Sequence, residues 1–425
     1  MRSLGGMVQP QDDIAPVQDR PAASTGSDRI LGALARTTAS GEFIPAVDGL
    51  RFIAIAAVVL HHITAEYIKL SQRFGVVDLP RQWWEVFPQS PFLTIGYAGH
   101  FGVPLFFVIS GFILALPYVR SHDFGAAAPN IWSYYLRRIV RLDPPYIISL
   151  LVAFAVISFT NIGWRVFFPH LWASMLYLHG AIYGEASWVN GVAWSLEVEV
   201  QFYVLVPLLS KFFALRPIWL RRITLFALIL GWAYAVANSI IFQQTPALSV
   251  SIVGHLQFFL AGFLLADLYS HHRIIRSLAG DLLALASAAA IYWILTHDYG
   301  LYYLTPILIA AMYVGVCSGQ IGYRIVTQRW IVTIGGMCYS IYLYHYLIIH
   351  LFTPLSARLM DRTHAIGLEL LLQAVVLIPA ILILSACLYL GVEKPCMQIS
   401  RWIGRKTRGG QAASGAIPQP ATTPY

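Results

Sequence analysis

Charge is scarce in this chain. Asp, Glu, Lys and Arg make up only 11% of its 425 residues, less than half the roughly 25% of an ordinary soluble domain. Hydrophobic residues make up 58% and aromatic ones 14%. A water-soluble surface cannot be built from so few charges, which excludes a soluble enzyme and leaves a membrane protein. Cysteine is rarer still. The four, Cys317, Cys338, Cys387 and Cys396, lie in or beside apolar stretches, at spacings unlike a zinc or thioredoxin pattern. They read as inert core thiols, and no metal site is expected. A cleavable signal peptide is missing too: residues 1–40 are polar, rich in Pro, Ser, Thr and Asp, and contain no apolar h-region. They read as a disordered cytoplasmic tail, and residues 401–425, low in complexity from Gly409 onward, as a second one. The net charge of +8 sits at the ends of apolar runs and not on a soluble face, which suits membrane orientation and argues against a nucleic-acid partner.

What the chain has in abundance is apolar length. A span needs about 20 mostly apolar residues, and ten stretches meet that rule: 50–68, 98–118, 142–161, 193–213, 223–242, 250–268, 278–296, 301–318, 331–352 and 367–391. The fold class expected is therefore an all-α integral membrane protein, a bundle of about ten transmembrane helices over residues 41–400 with both termini cytoplasmic. That orientation leaves 22 of the 28 Lys and Arg residues on the cytoplasmic side and six outside, as the positive-inside rule requires. The stretch from Phe167 to Gly184 is apolar but broken by Pro169, His170, His179 and Gly180. An eleventh span there would invert every later loop, so it reads as a re-entrant or interfacial element on the outer side. No soluble domain of useful size remains, and any chemistry belongs to the bundle or its two faces.

Some polar residues within the apolar runs stand out. In DGLRFIAIAAVVLHHI, from Asp48, Arg51 and His62 are eleven residues apart; on a helix that is about 16 Å and three turns plus some 20°. They share one face, Arg51 at the cytoplasmic edge and His62 near mid-membrane, while His61 points about 100° away. An ionisable side chain in a span usually faces the bundle interior or a wet cavity; from physics alone, packing against a neighbouring helix accounts for His62 equally well. Glycines 99, 102 and 111 allow close helix approach, and Ser110 suits either a cavity wall or a helix contact. Arg138 and Arg141, three apart, share a face at the start of the third span. They can anchor to anionic lipid headgroups or grip a phosphorylated ligand bidentately. Glu197 and Glu199 open the fourth span about 160° apart, so at most one faces the cavity of His62. His345, between Tyr342 and Tyr346, is a second intramembrane ionisable group in the ninth span.

Taken together these residues resemble the membrane-bound acyltransferase family 3. Arg51 and His62 match its Arg-x10-His signature, FVISGF (Phe107 to Phe112) its second-span motif, and Arg138-Ile-Val-Arg141 its Arg-x-x-Arg element. WSLEVEVQFY from Trp194 resembles its WSLxVExQFY stretch, and SIYLYH from Ser340 and VEKP from Val392 its last two landmarks. The matches run in order over residues 43–400. One departure is Val200, where many members carry a second acid. Another is the lack of the extracytoplasmic hydrolase-like domain that some members append. The resemblance implies an O-acyltransferase of the inner, cytoplasmic membrane, multi-pass, whose donor is cytoplasmic acyl-CoA (acetyl-CoA foremost) and whose acceptor is a hydroxyl of a glycan or glycoconjugate at the outer side. It implies His62 and Glu199 as catalytic residues, His62 as base, with Glu199 orienting it or holding the acceptor. Arg51, Arg138 and Arg141 would bind the donor, and Ser110, Trp194, Glu197 and His345 the substrate. Direct transfer and an acyl-histidine relay both fit. A proton-coupled transporter of a polar or lipid-linked substrate is the competing reading, though no repeat relates the two halves of the chain; a scaffold subunit would not need His62.

Overall fold

A computed structural model of the protein describes residues 31–35, 43–74, 90–159, 163–360 and 366–414. Most of the expected N-terminal tail, and residues 415–425 of the C-terminal one, lie outside them. Among the described residues the chain is helical, with no strand and a single isolated bridge between Ser277 and Gly319. The helices that matter here are α1 (Pro45–Phe74), α2 (Pro91–Ala98), α3 (Gly102–Phe124), α4 (Ile131–Ser158), α5 (Trp164–Met175), α6 (His179–Tyr183), α7 (Ala193–Leu209) and α8 (Ile218–Asn238). They continue as α9 (Ile252–His271), α10 (Leu278–His297), α11 (Thr305–Ser318), α12 (Arg329–Gly336), α13 (Cys338–Met360), α14 (Ile366–Leu388) and α15 (Lys394–Ser414). Eight segments are long and apolar enough to cross a membrane, or nine if α12 and α13, bent by 70° at their junction, count as one.

The expected fourth span is α7, and it falls short. Its 17 residues rise about 25 Å, less than the roughly 30 Å of hydrocarbon, because a 3-10 turn at Ser210–Ala214 ends the helix at Leu209. The stretch expected to be re-entrant is α5 and α6, of 12 and five residues, both too short to cross. The C-terminal tail differs from expectation: α15 runs through residue 401 to Ser414. Met397, Ser400 and Gly404 explain its start, since they recur along one helical face and rest on α4. There Ser400 donates to the Arg137 carbonyl at 3.0 Å, and the Arg137 side chain crosses Gly404.

Large apolar side chains on the outside of α8, α10 and α14, such as Ile223, Leu282 and Ile383, are exposed and suit contact with lipid. Inside there are two cores. One gathers α3, α9 and α11 with the first half of α1; the other gathers α13, α14 and the second half of α1. Helices α1, α4 and α7 contribute to both, so their polar residues lie along the seam. The glycines do what close packing needs: a side chain on Gly99 or Gly102 would strike the carbonyl of Ala57 or Ala54 in α1, and one on Gly111 the carbonyl of Phe259 in α9.

One end of the bundle is tied by charge. Arg221 in α8 is fully buried and pairs with Asp123 of α3 at 2.7 Å and with Asp267 of α9, and it also donates to the Phe213 carbonyl at 2.7 Å. Arg216 and Arg222 complete the network at 2.6 and 2.5 Å. Asp123, Asp267 and His271 bring potential ligand atoms within 4.8 Å of one another, but Arg216, Arg221 and Arg222 already pair with the two carboxylates, so the group reads as an ion-pair node. Removing one partner of a buried pair strands the other charge, at about 3–5 kcal/mol. Arg221→Leu should lower stability by that amount, read as a fall in melting temperature of the detergent-purified protein. Arg222→Leu, whose side chain is 25% exposed, should cost much less; equal stability of the Arg221 variant and the parent would mean the network holds nothing together.

Candidate active site

Two helices of the seam bring three arginines into one cavity. Arg51 comes from α1, and Arg138 and Arg141 come from one face of α4, where the Arg-x-x-Arg spacing set them. The cavity holds about 810 Å³ of atom-free space, open solvent at its mouth included. Apolar walls come from Phe106, Phe107, Leu142 and Leu196, and polar ones from Ser110, Ser195, Glu199, Tyr203, Tyr339 and Tyr342. Each arginine whose contacts are resolved is held from behind. Arg51 is paired with buried Asp48, one turn back, at 2.7 Å, and Arg138 lies over the rings of Tyr203 and Tyr134, with 5.1 and 5.9 Å to the centroids. With three guanidiniums against the carboxylate of Glu199, the cavity favours an anion, and arginine forks match phosphate oxygens.

Glu199 and Ser110 meet here: the serine hydroxyl donates to Oε1 at 2.5 Å, and Tyr203 is a second neighbour of the carboxylate. Glu197 points elsewhere, as the helical period requires. It is 1% exposed and accepts from the Gly180 backbone at 2.9 Å, holding α6 against α7. Glu197, expected to meet the substrate, is not among the residues that line this cavity. Trp194 is one layer behind, its ring against Phe107 and His255.

His62 lies outside the cavity lining. Its Nδ1 is 2.9 Å from the Val58 carbonyl and 3.2 Å from Nε2 of His345, and its ring also meets Tyr346. In this structure the carboxylate of Glu199 has Ser110 and Tyr203 as its partners, and His62 has another histidine. His345 is fully buried with both ring nitrogens engaged. His61 faces away, its Nδ1 3.0 Å from the Tyr97 carbonyl. Between cavity and histidines stands Tyr342, which lines the first and has its ring 5.6 Å from that of His345. Ser195 and the Val192 carbonyl fix its hydroxyl at 2.5 and 3.1 Å.

Comparison with known proteins shows the family of the chain. The family model described as an acyltransferase domain matches residues 44–390. The chain belongs to that acyltransferase family. It is 27% identical to Nodulation protein 10 of Rhizobium leguminosarum bv. viciae over 286 residues, covering 59% of this chain and 71% of the relative. It is 21% identical to the O-acetyltransferase OatA of Staphylococcus aureus over 346 residues, covering 73% of this chain and 51% of that protein, so it spans about half of OatA's length. No solved structure matches it significantly. The protein is thus a multi-pass membrane enzyme that transfers acyl groups, and the carrier reading falls away.

In this acyltransferase the VEKP landmark has a task that its sequence did not disclose. Glu393 is buried at the end of a π-helical turn, Tyr389–Glu393, and accepts from Ser340 twice, from its backbone N–H at 3.1 Å and its hydroxyl at 2.6 Å. Ser340 belongs to the first turn of α13, where backbone N–H groups have no helical partner and a carboxylate is favoured by the helix dipole. Glu393 therefore caps the helix that begins at the 70° break and carries Tyr339, Tyr342 and His345. Tyr203, Tyr339 and Ser195 were likewise passed over. The first and last lie inside the WSLEVEVQFY motif, which was the signal that could have found them. Glu393→Ala should cost about 1–3 kcal/mol for the unsatisfied donors and lower activity through a disordered start of α13. Glu393→Gln, which still accepts, should keep most of both; thermal melts of the two variants decide it.

Proposed function

We propose that the protein is an O-acyltransferase of a cytoplasmic membrane. It takes an acyl group, acetyl foremost, from acyl-CoA on the cytoplasmic side and transfers it to a hydroxyl of a glycan or glycoconjugate on the outer side. One observation carries the donor assignment. Three guanidiniums share a cavity, and on the helix that supplies one of them the imidazole of His62 lies eleven residues on, about 16 Å along the axis. Such a separation suits a donor whose phosphates and reacting carbon lie at opposite ends of a long flexible arm, as in coenzyme A, better than a compact one. The name O-acetyltransferase borne by one relative supports oxygen as the acceptor atom.

In this reading the arginines hold the nucleotide phosphates, and the pantetheine arm runs past Ser110, Glu199 and Tyr342 toward His62. The acceptor hydroxyl gives its proton to His62 as its oxygen bonds the acyl carbon. The carbon–sulfur bond then breaks, and the coenzyme leaves as a thiolate that takes up the proton. Histidine suits the role because its unperturbed pKa lies near neutral pH. Glu199, paired with Ser110 among the arginines, positions the donor arm and does not orient the base.

Release of free thiol from acetyl-CoA by the purified enzyme, with and without candidate acceptors, tests the reading. His62→Ala should lose at least about a hundredfold, while His61→Ala, facing Tyr97, should be mild. Arg138→Ala and Arg141→Ala should raise the KM for acyl-CoA, and Lys should restore it only in part because it lacks the bidentate fork. Unchanged acyl-CoA affinity in a folded double variant would leave these arginines as lipid anchors.

A further inference from the structure

The two histidines of the seam are 283 positions apart in sequence and touch through single nitrogens. His345 Nδ1 lies 3.0 Å from the Ile341 carbonyl and 2.8 Å from the Tyr342 carbonyl. A carbonyl oxygen offers only lone pairs, so the hydrogen of those contacts is on His345 Nδ1. In the neutral ring Nε2 then holds a lone pair, and that lone pair faces His62 Nδ1 at 3.2 Å. The other neighbour of His62 Nδ1 is the Val58 carbonyl at 2.9 Å, again an acceptor. Both partners of His62 Nδ1 accept, so it carries a hydrogen.

We propose that His345 is a positioning residue that holds His62 in the tautomer protonated on Nδ1, leaving Nε2 as the unprotonated nitrogen that receives the acceptor's proton. This rests on the reading of His62 as base. A free histidine side chain prefers the opposite tautomer, with hydrogen on Nε2, which has no lone pair at the ring's outer end. The tautomer present in a protein is set by what the other nitrogen bonds. Val58 alone is a weak hold, because the same carbonyl is where the helical backbone N–H of His62 points. His345 supplies the second acceptor from a different helix. Its own ring is fixed by the first turns of α13, and that helix is in turn capped by Glu393. When His62 takes up a proton on Nε2, its Nδ1–H still donates to His345, so the imidazolium keeps a hydrogen-bond partner. Glutamine can reproduce the acceptor, since its Oε1 reaches about as far as Nε2; leucine fills the space and accepts nothing.

The test reads the tautomer directly. The full-length protein is labelled with 15N-histidine and studied in detergent micelles, where a long-range proton–nitrogen correlation separates protonated from unprotonated ring nitrogens. The His62 signal is the one lost in His62→Gln. The expected result is a protonated Nδ1 and an unprotonated Nε2 in the parent, retained in His345→Gln and lost or averaged in His345→Leu. In thiol release from acetyl-CoA, His345→Leu should lower kcat by about tenfold or more, given that a wrongly held base tautomer costs a serine protease up to about ten-thousand-fold. The KM for acetyl-CoA should be unchanged, and His345→Gln should regain most of the rate. A parent His62 protonated on Nε2 overturns the proposal, and so does a His62 tautomer indifferent to His345→Leu. If the leucine variant does not fold, the spectra of the parent and His345→Gln still decide. Should His62→Ala keep full activity while the tautomer is as described, it is the assignment of the base that fails and not the contact.

Discussion

A polar group inside hydrocarbon has no water to fall back on, and every such group in this bundle must find its partner within the protein. The arrangement of the enzyme follows from that constraint. Asp123 and Asp267 are tolerated because Arg221 lies between them, and Asp48 because Arg51 is one turn away. Glu393 is tolerated because a helix begins beside it. The Arg221 and Glu393 pairings join segments that would otherwise be free to slide, so satisfying the polar groups also fixes helices. The cavity lies where α1, α4 and α7 pass from one apolar core to the other. That seam is where polar walls can be kept without splitting either core.

The same constraint divides the candidate site into two chemically distinct places. The arginines with Glu199 and Ser110 form an anion-favouring chamber, and His62 with His345 forms a small neutral pair beyond Tyr342. The bent junction between α12 and α13 lets one helix start beside the chamber, through Cys338 and Tyr339, and carry its histidine to the pair two turns later.

Much of this was legible in the sequence, and the division between what was and was not is physical. Hydropathy and helical period are local, so the positions of the long helices, the shared face of Arg138 and Arg141, the divergence of Glu197 from Glu199 and the close contacts at Gly99, Gly102 and Gly111 could all be read from neighbouring residues. Partnership across the bundle could not. Ser110 and Glu199 are 89 residues apart and His62 and His345 are 283 apart, and no periodicity indicates which helix faces are brought together. The partners of Glu199 and of His62 were out of reach for that reason: each residue could be placed along its own helix, but not the helix face that meets it. The continuation of α15 past residue 401 was missed because a polar, glycine-bearing stretch reads as tail until the groove on α4 that receives Met397 and Ser400 is seen.

The cap on α13 has a consequence for the order in which the enzyme is made. Glu393 lies 53 residues after Ser340, so when α13 leaves the ribosome and enters the bilayer the carboxylate that completes its first turn has not yet been synthesised. The histidine contact carried by α13 therefore matures late, after α14 has crossed and turned back. Until then the nascent protein is a set of inserted helices with α13 uncapped, and a chain stopped short of residue 393 lacks that cap however well it is lodged in the membrane.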